Sequence, residues 1–155
     1  MKDIGSPGTW SGLALRVLQC VTAMASFATT AAAYAFATNS YGVFRYLMYT
    51  MFGQFLWSFL LGCVDVVAIK KQHNLRVRRI LLPLGLIDWA MAVLTFAASS
   101  SSAGVAFFFG RDTNMCELYA AQLCSHYNTS VVLALVTWCF SAASAAAVFW
   151  VLASD

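Results

Sequence analysis

Residues 80–109 read ILLPLGLIDWAMAVLTFAASSSSAGVAFFF: thirty positions carrying one charge, Asp88, and preceded by the bases Lys70, Lys71, Arg76, Arg78 and Arg79 with no acid among them. A helix needs ~20 residues to cross the ~30 Å hydrocarbon core of a bilayer. Thirty residues span ~45 Å at ~1.5 Å per residue, so this helix must tilt or project beyond the core. A transmembrane β-strand would alternate polar and apolar side chains over ~10 residues. The run here is instead continuous and rich in Ala and Leu. Working outward from it, residues 13–37, 46–69 and 130–153 form three more apolar stretches of spanning length. These four spans predict an all-α membrane protein, a four-transmembrane-helix antiparallel bundle forming one domain over residues 1–155.

The composition agrees. Of 155 residues, 61% are hydrophobic and 10% charged, and the mean hydropathy is +0.75. Soluble domains are nearer ~45–50% apolar and ~25% charged. Cytosolic enzymes and nucleic-acid binders, which need a polar surface, do not fit, and neither does intrinsic disorder, which needs low hydrophobicity. The amino-terminal segment reads as a retained first span, not a cleaved signal peptide: Lys2 is offset by Asp3, Arg16 interrupts the start, and the apolar run exceeds ~7–15 residues. Gly5-Ser6-Pro7-Gly8 ahead of it is turn-prone. No linker, internal repeat or soluble module is evident.

The basic run also sets the expected orientation. Lys70, Lys71, Arg76, Arg78 and Arg79 are five of the nine bases, and positive loops stay in the cytoplasm. Both termini are then cytoplasmic, with the loops near Asn39 and Cys116 outside. The same bases are expected to touch anionic lipid headgroups.

Helices associate in lipid through small residues and interhelical hydrogen bonds, and each span has such residues at steps of three and four. They are Gly12, Arg16, Gln19, Ala23, Ser26 and Thr30 in the first span; Gln54, Ser58, Gly62 and Asp65 in the second; Gly85, Asp88, Ala92, Thr95, Ser99 and Ser102 in the third; and Ser130, Ala134, Thr137, Ser141 and Ser144 in the fourth. That spacing puts each set on one face. The four faces are expected to point inward, leaving Leu, Phe, Val and Trp toward lipid or a neighbouring subunit.

Three charges interrupt the apolar runs, where an unpaired charge costs at least ~2.5–3.5 kcal/mol. Counted from the flanking Arg79, Trp10 and Lys70, Asp88 lies about 13 Å, Arg16 about 9 Å and Asp65 about 7 Å from the cytoplasmic edge. Arg16 is therefore expected to pair with Asp88, with Asp65 either completing the cluster or reaching the interface. A registry-fixing ion pair is favoured over a proton or ion relay, because one base already neutralises one acid.

Cys116 and Cys124 fall in the second outer loop, on the oxidising side, where a disulfide between them is expected; two free thiols are the alternative. Cys20, Cys63 and Cys139 lie within spans and read as small packing residues. Asn128-Thr129-Ser130 matches a glycosylation sequon, but abuts the fourth span and reads better as a helix-starting cluster. His73 and His126 have no ligand-spaced companions, and Cys116, Cys124 and His126 make too weak a set for a zinc site. No metal or cofactor is expected. Nucleotide-binding glycine loops, nucleophile elbows and H-E-x-x-H are missing, so no enzyme is expected. Trp10, Tyr41 and Trp150 read as interface anchors.

Several motifs occur in an order that resembles the plant Casparian strip membrane domain protein-like (CASP-like) family, related to MARVEL domain proteins. They are Gly5-Ser6-Pro7-Gly8-Thr9-Trp10-Ser11-Gly12 leading to Leu15-Arg16, Asp88-Trp89, Ser101-Ser102-Ala103-Gly104, and Phe149-Trp150-Val151-Leu152-Ala153-Ser154. The resemblance covers essentially the whole chain and is nearest to subfamily five. It implies a MARVEL-like four-helix fold, carries the family's span-one Arg and span-three Asp onto Arg16 and Asp88, and carries its outer cysteines onto Cys116 and Cys124. It further implies a plasma-membrane platform that assembles with itself and recruits cell-wall-modifying proteins. Residues 38–44 leave no room for the longer loop signature of the Casparian strip proteins proper, which points away from that particular barrier. The function expected is thus a non-enzymatic scaffold with membrane lipids, copies of itself or other membrane proteins as partners, and no nucleic acid. A small oligomeric channel or transporter using Arg16, Asp65 and Asp88, or an accessory subunit of a larger membrane enzyme, are the alternatives.

Overall fold

The computed structural model describes residues 9–36, 42–71, 78–111 and 121–154. They form four helices: α1 (Trp10–Phe36), α2 (Gly42–Lys71), α3 (Arg78–Arg111) and α4 (Ala121–Ser154). No strand occurs among the described residues. All four are long and apolar enough to cross a membrane. The shortest has 27 residues, about 40 Å at ~1.5 Å per residue, so each exceeds the ~30 Å core.

Local chemistry sets the ends. Thr9 caps α1: its hydroxyl accepts from the Gly12 N–H at 3.2 Å and its carbonyl from the Leu13 N–H at 3.0 Å. This satisfies one of the donors that a helix start leaves open. Pro83 lies inside α3 but is only its sixth residue. There it removes a single i→i−4 bond, near an end that already has unpaired donors.

The fourth helix begins earlier than the expected span at 130. Asn128, Thr129 and Ser130 do not start it; Ala121 does, seven residues before Asn128. Nothing between 121 and 128 breaks a helix, and the hydroxyls of Thr129 and Ser130 bond back to the carbonyls of Ser125 and Tyr127, each at 2.8 Å. Such back-bonding belongs to a helix interior. Asn128 is exposed on this helix.

The helices form a ring: α1 packs on α2 and α4, and α3 packs on α4 and, less extensively, on α2. Thus α1 faces α3 across one diagonal, and α2 faces α4 across the other. Neighbours in the chain run antiparallel, which brings the starts of α1 and α3 and the ends of α2 and α4 to one end. We call this the basic end, for Lys70 and the Arg78-Arg79 turn.

Every polar or small stripe residue named above is buried except Gly62, which is half-buried. The outside is apolar, with Leu86, Phe107, Phe149 and Trp150 all above 60% exposed. Cys63 and Cys139 also face outward as free thiols, while free Cys20 is half-buried. The expected packing role therefore does not hold for Cys63 and Cys139: their helices give the interior to polar residues. An apolar cluster fills the interior at the far end, where Phe44, Leu47, Met51, Ala98, Tyr127 and Val131 meet. Phe44 and Tyr127 stack there with centroids 4.0 Å apart.

Candidate functional site: a polar core on the bundle axis

Asp88 is fully buried on α3 and faces the start of α1. Arg16 meets it in a fork: Nη1 donates to Oδ1 at 2.9 Å and Nη2 to Oδ2 at 2.8 Å. This parallel geometry is the strongest that a guanidinium and a carboxylate form. The other helices complete the shell. Trp57 Nε1 of α2 donates to Oδ1 at 3.1 Å, and Ser144 Oγ of α4 donates to Oδ2 at 3.2 Å. An ionised carboxylate offers about four acceptor positions, and all are taken. Asp88 thereby ties α3 to the other three helices at one point.

A second layer runs from Arg16 toward the middle of the bundle. Arg16 Nη1 also reaches Gln19 Oε1 at 3.3 Å, and the Ser58 hydroxyl donates to the same oxygen at 3.3 Å. With two donors on Oε1, the Gln19 amide has one sensible orientation. Its Nε2 is buried without a hydrogen-bond partner among the described residues, as is Ser102 Oγ. Gln54 Nε2 donates to Ser58 Oγ at 3.4 Å and to Ser141 Oγ at 3.3 Å. Thr95 Oγ1 lies 3.4 Å from Gln54 Oε1. The Ser141 contact joins α2 to α4 across the second diagonal, and the Thr95 contact joins α2 to α3. Further along, Ser26 donates to the Ser130 carbonyl at 2.9 Å, and the Thr137 and Thr22 hydroxyls lie 2.9 Å apart.

The structure brings Arg16 and Asp88 together and buries Asp65 one turn beyond Gly62 on α2. Lys70 is exposed at the end of α2, while Lys71 closes that helix and Arg78 and Arg79 open α3. Arg76, Cys116 and Tyr41 lie outside the described residues, so the expected Cys116–Cys124 bridge does too. Cys124 is half-buried in the first turns of α4. Among the described residues, no three His, Cys, Asp or Glu side chains come together as metal ligands would.

Trp57 was missed by the sequence reading. An indole in an apolar run looks like a lipid-facing side chain. The available signal was its place one residue before Ser58 and three after Gln54, on the edge of the polar stripe.

Chemically, the site is a carboxylate whose acceptor positions are filled by donors from the other three helices. It can hold helices in register, and its central carboxylate has no free acceptor position at which to take up an ion.

Comparison with known proteins places this architecture. The family model for the Casparian strip membrane protein domain matches residues 5–140. CASP-like protein 5B3 of Oryza sativa subsp. japonica is 47% identical over 156 residues, covering 99% of each chain. CASP-like protein 5B1 of Arabidopsis thaliana is 42% identical over 151 residues, covering 97% of this chain and 98% of its own. CASP-like protein 5B2 of Arabidopsis thaliana is 40% identical over 154 residues, covering 99% and 98%. No solved structure matches the chain.

Proposed function

The chain belongs to the Casparian strip membrane protein domain family, in the CASP-like 5 subfamily, and from that membership and the geometry of its core we propose that it is a non-enzymatic plasma-membrane scaffold. It oligomerises laterally, organises a membrane domain and recruits membrane or cell-wall-modifying proteins, with both termini in the cytoplasm. The observation that carries this reading is the division of the molecule into a polar interior centred on a fully bonded Asp88 and an apolar exterior. Asp88 has its acceptor positions filled from within the chain. The exposed surface of the spans carries large aromatic and aliphatic groups such as Phe59, Trp89, Phe107 and Phe149, which leaves them to lipid or to van der Waals packing against a neighbouring subunit.

Single-molecule tracking in the native membrane tests it. Confined, largely immobile particles of more than one subunit are expected; free diffusion of single copies would overturn the reading.

One observation favours a second reading, an ion or proton conduit: the hydrogen-bonded run from Asp88 through Gln19 and Ser58 to Gln54 lies along the axis. Against it, the apolar cluster around Phe44, Leu47 and Met51 fills the axis at the far end. Proton flux into liposomes that is abolished by Asp88→Asn would favour the conduit.

A further inference from the structure

The outer surface is not uniform. A groove of about 370 Å³ runs between α3 and α4 at the basic end. Its floor is Gly85, Ala145 and Val148, and its walls include Leu86, Trp89 and Phe149. Gly85 explains the floor: a Cβ there would stand 3.0 Å from Val148 Cγ1, so the lack of a side chain lets α4 come in close while its neighbours rise on either side. Leu86 and Phe149 are more than 60% exposed and Trp89 is 51% exposed, so the walls project into the region that lipid occupies.

The position of the groove along α3 says what suits it. It starts at Leu82, one turn after Arg78 and Arg79 open the helix, and runs to Trp89, about 10 Å further at ~1.5 Å per residue. An apolar slot of that depth therefore begins at the membrane–water boundary. Two bases, Arg78 and Arg79, open α3 at that boundary, and residues 70–79 include no acid. A partner protein's helix would have an apolar side for the slot but no particular need of that charge. A phospholipid has both parts: an acyl chain for the slot, and a phosphate that a basic turn attracts.

We infer that the α3–α4 groove is a binding site for one anionic phospholipid. Its acyl chain lies over Gly85 and Val148 between Leu86, Trp89 and Phe149, and its headgroup meets the basic turn that opens α3. This goes beyond the scaffold reading and does not depend on it.

The test reconstitutes the full chain in phosphatidylcholine vesicles doped with spin-labelled phosphatidylglycerol or spin-labelled phosphatidylcholine, and measures the motionally restricted fraction. The wild type should restrict the anionic probe at least about threefold more, given the attraction of each base near the surface. Arg78→Gln with Arg79→Gln should bring the two probes to parity. Ala153→Trp fills the exposed mouth of the groove without changing charge, and should also remove the preference. Ala146→Trp, also at an exposed position but outside the groove, should leave it intact and shows that the bundle tolerates a Trp on α4. Parity in the wild type would overturn the inference, as would a preference that survives Ala153→Trp, which would place the attraction on the surface charge alone. So would Ala153→Cys cross-linking between copies, because a second subunit would then cover the groove.

Discussion

Asp88 can accept about four hydrogen bonds, and donors from three other helices occupy those positions. A pair of charges in a low-dielectric interior gains little over a well-packed apolar pair, but removing one partner strands the other at a cost of ~3–5 kcal/mol. Asp88→Asn and Arg16→Met should each lower resistance to unfolding in lipid discs by about that much. Arg16→Met with Asp88→Leu should recover most of it. Exchanging the charges, Arg16→Asp with Asp88→Arg, should rescue only in part, because the guanidinium would then face the Trp57 and Ser144 donors. No rescue in either double variant would sink the pairing. Trp57→Phe keeps the ring and removes one hydrogen bond to a charge, so a loss of ~1.5–3 kcal/mol is expected. The pair itself was legible in the sequence, since all three charges fall in the same half of the bilayer and a long Arg side chain reaches an acid one turn deeper. The Trp57 contact was not, because an indole N–H acquires a partner only when another helix supplies the carboxylate.

At the scale of the element, steps of three and four placed the polar residues, and they placed them correctly: Gly12, Gln19, Ser26 and Thr30 of α1 all turn inward. A helix has only one side to give to its neighbours, so local spacing suffices to say which side that is. It does not say where the helix ends. Asn128-Thr129-Ser130 resembles a start signal, yet the preceding residues continue the helix to Ala121, and only the back-bonded hydroxyls distinguish the two situations. How closely two helices approach was equally hidden. Gly85 and Gly104 lie on one helix and look alike in sequence, but a Cβ at Gly85 meets Val148 at 3.0 Å and one at Gly104 meets nothing within 4 Å. Gly85→Ala should therefore cost about 1–3 kcal/mol through overpacking and be relieved by Val148→Ala. Gly104→Ala should be neutral or slightly stabilising. Equal effects at both glycines, read by thermal unfolding in discs, would refute this account of the α3–α4 contact.

For the whole molecule, four helices could be counted directly from the apolar runs, but their cyclic order could not. Antiparallel neighbours are compatible with more than one ring. What puts α1 opposite α3 is the meeting of Arg16 with Asp88, and what puts α2 opposite α4 is the contact of Gln54 with Ser141. The proposed bridge between Cys116 and Cys124 belongs to this scale as well, since it would close the connection between α3 and α4. Thiol labelling of denatured, unreduced protein should modify three cysteines, Cys20, Cys63 and Cys139, and five after reduction. Five before reduction would exclude the bridge.

The separation of the central pair has a consequence in time. Arg16 and Asp88 are 72 residues apart. At roughly 5–20 residues per second, a ribosome needs about 4 to 14 s to make that stretch. For that interval α1 has entered the membrane with its guanidinium and without the acid that answers it. Ser144 joins later still, when α4 is complete. The nascent chain therefore passes through a stage at which its first helix is poorly suited to lipid and must linger beside the insertion machinery or hold its arginine at the surface. A feature that locks the finished bundle is, during synthesis, the step at which an incomplete chain is most exposed to quality control.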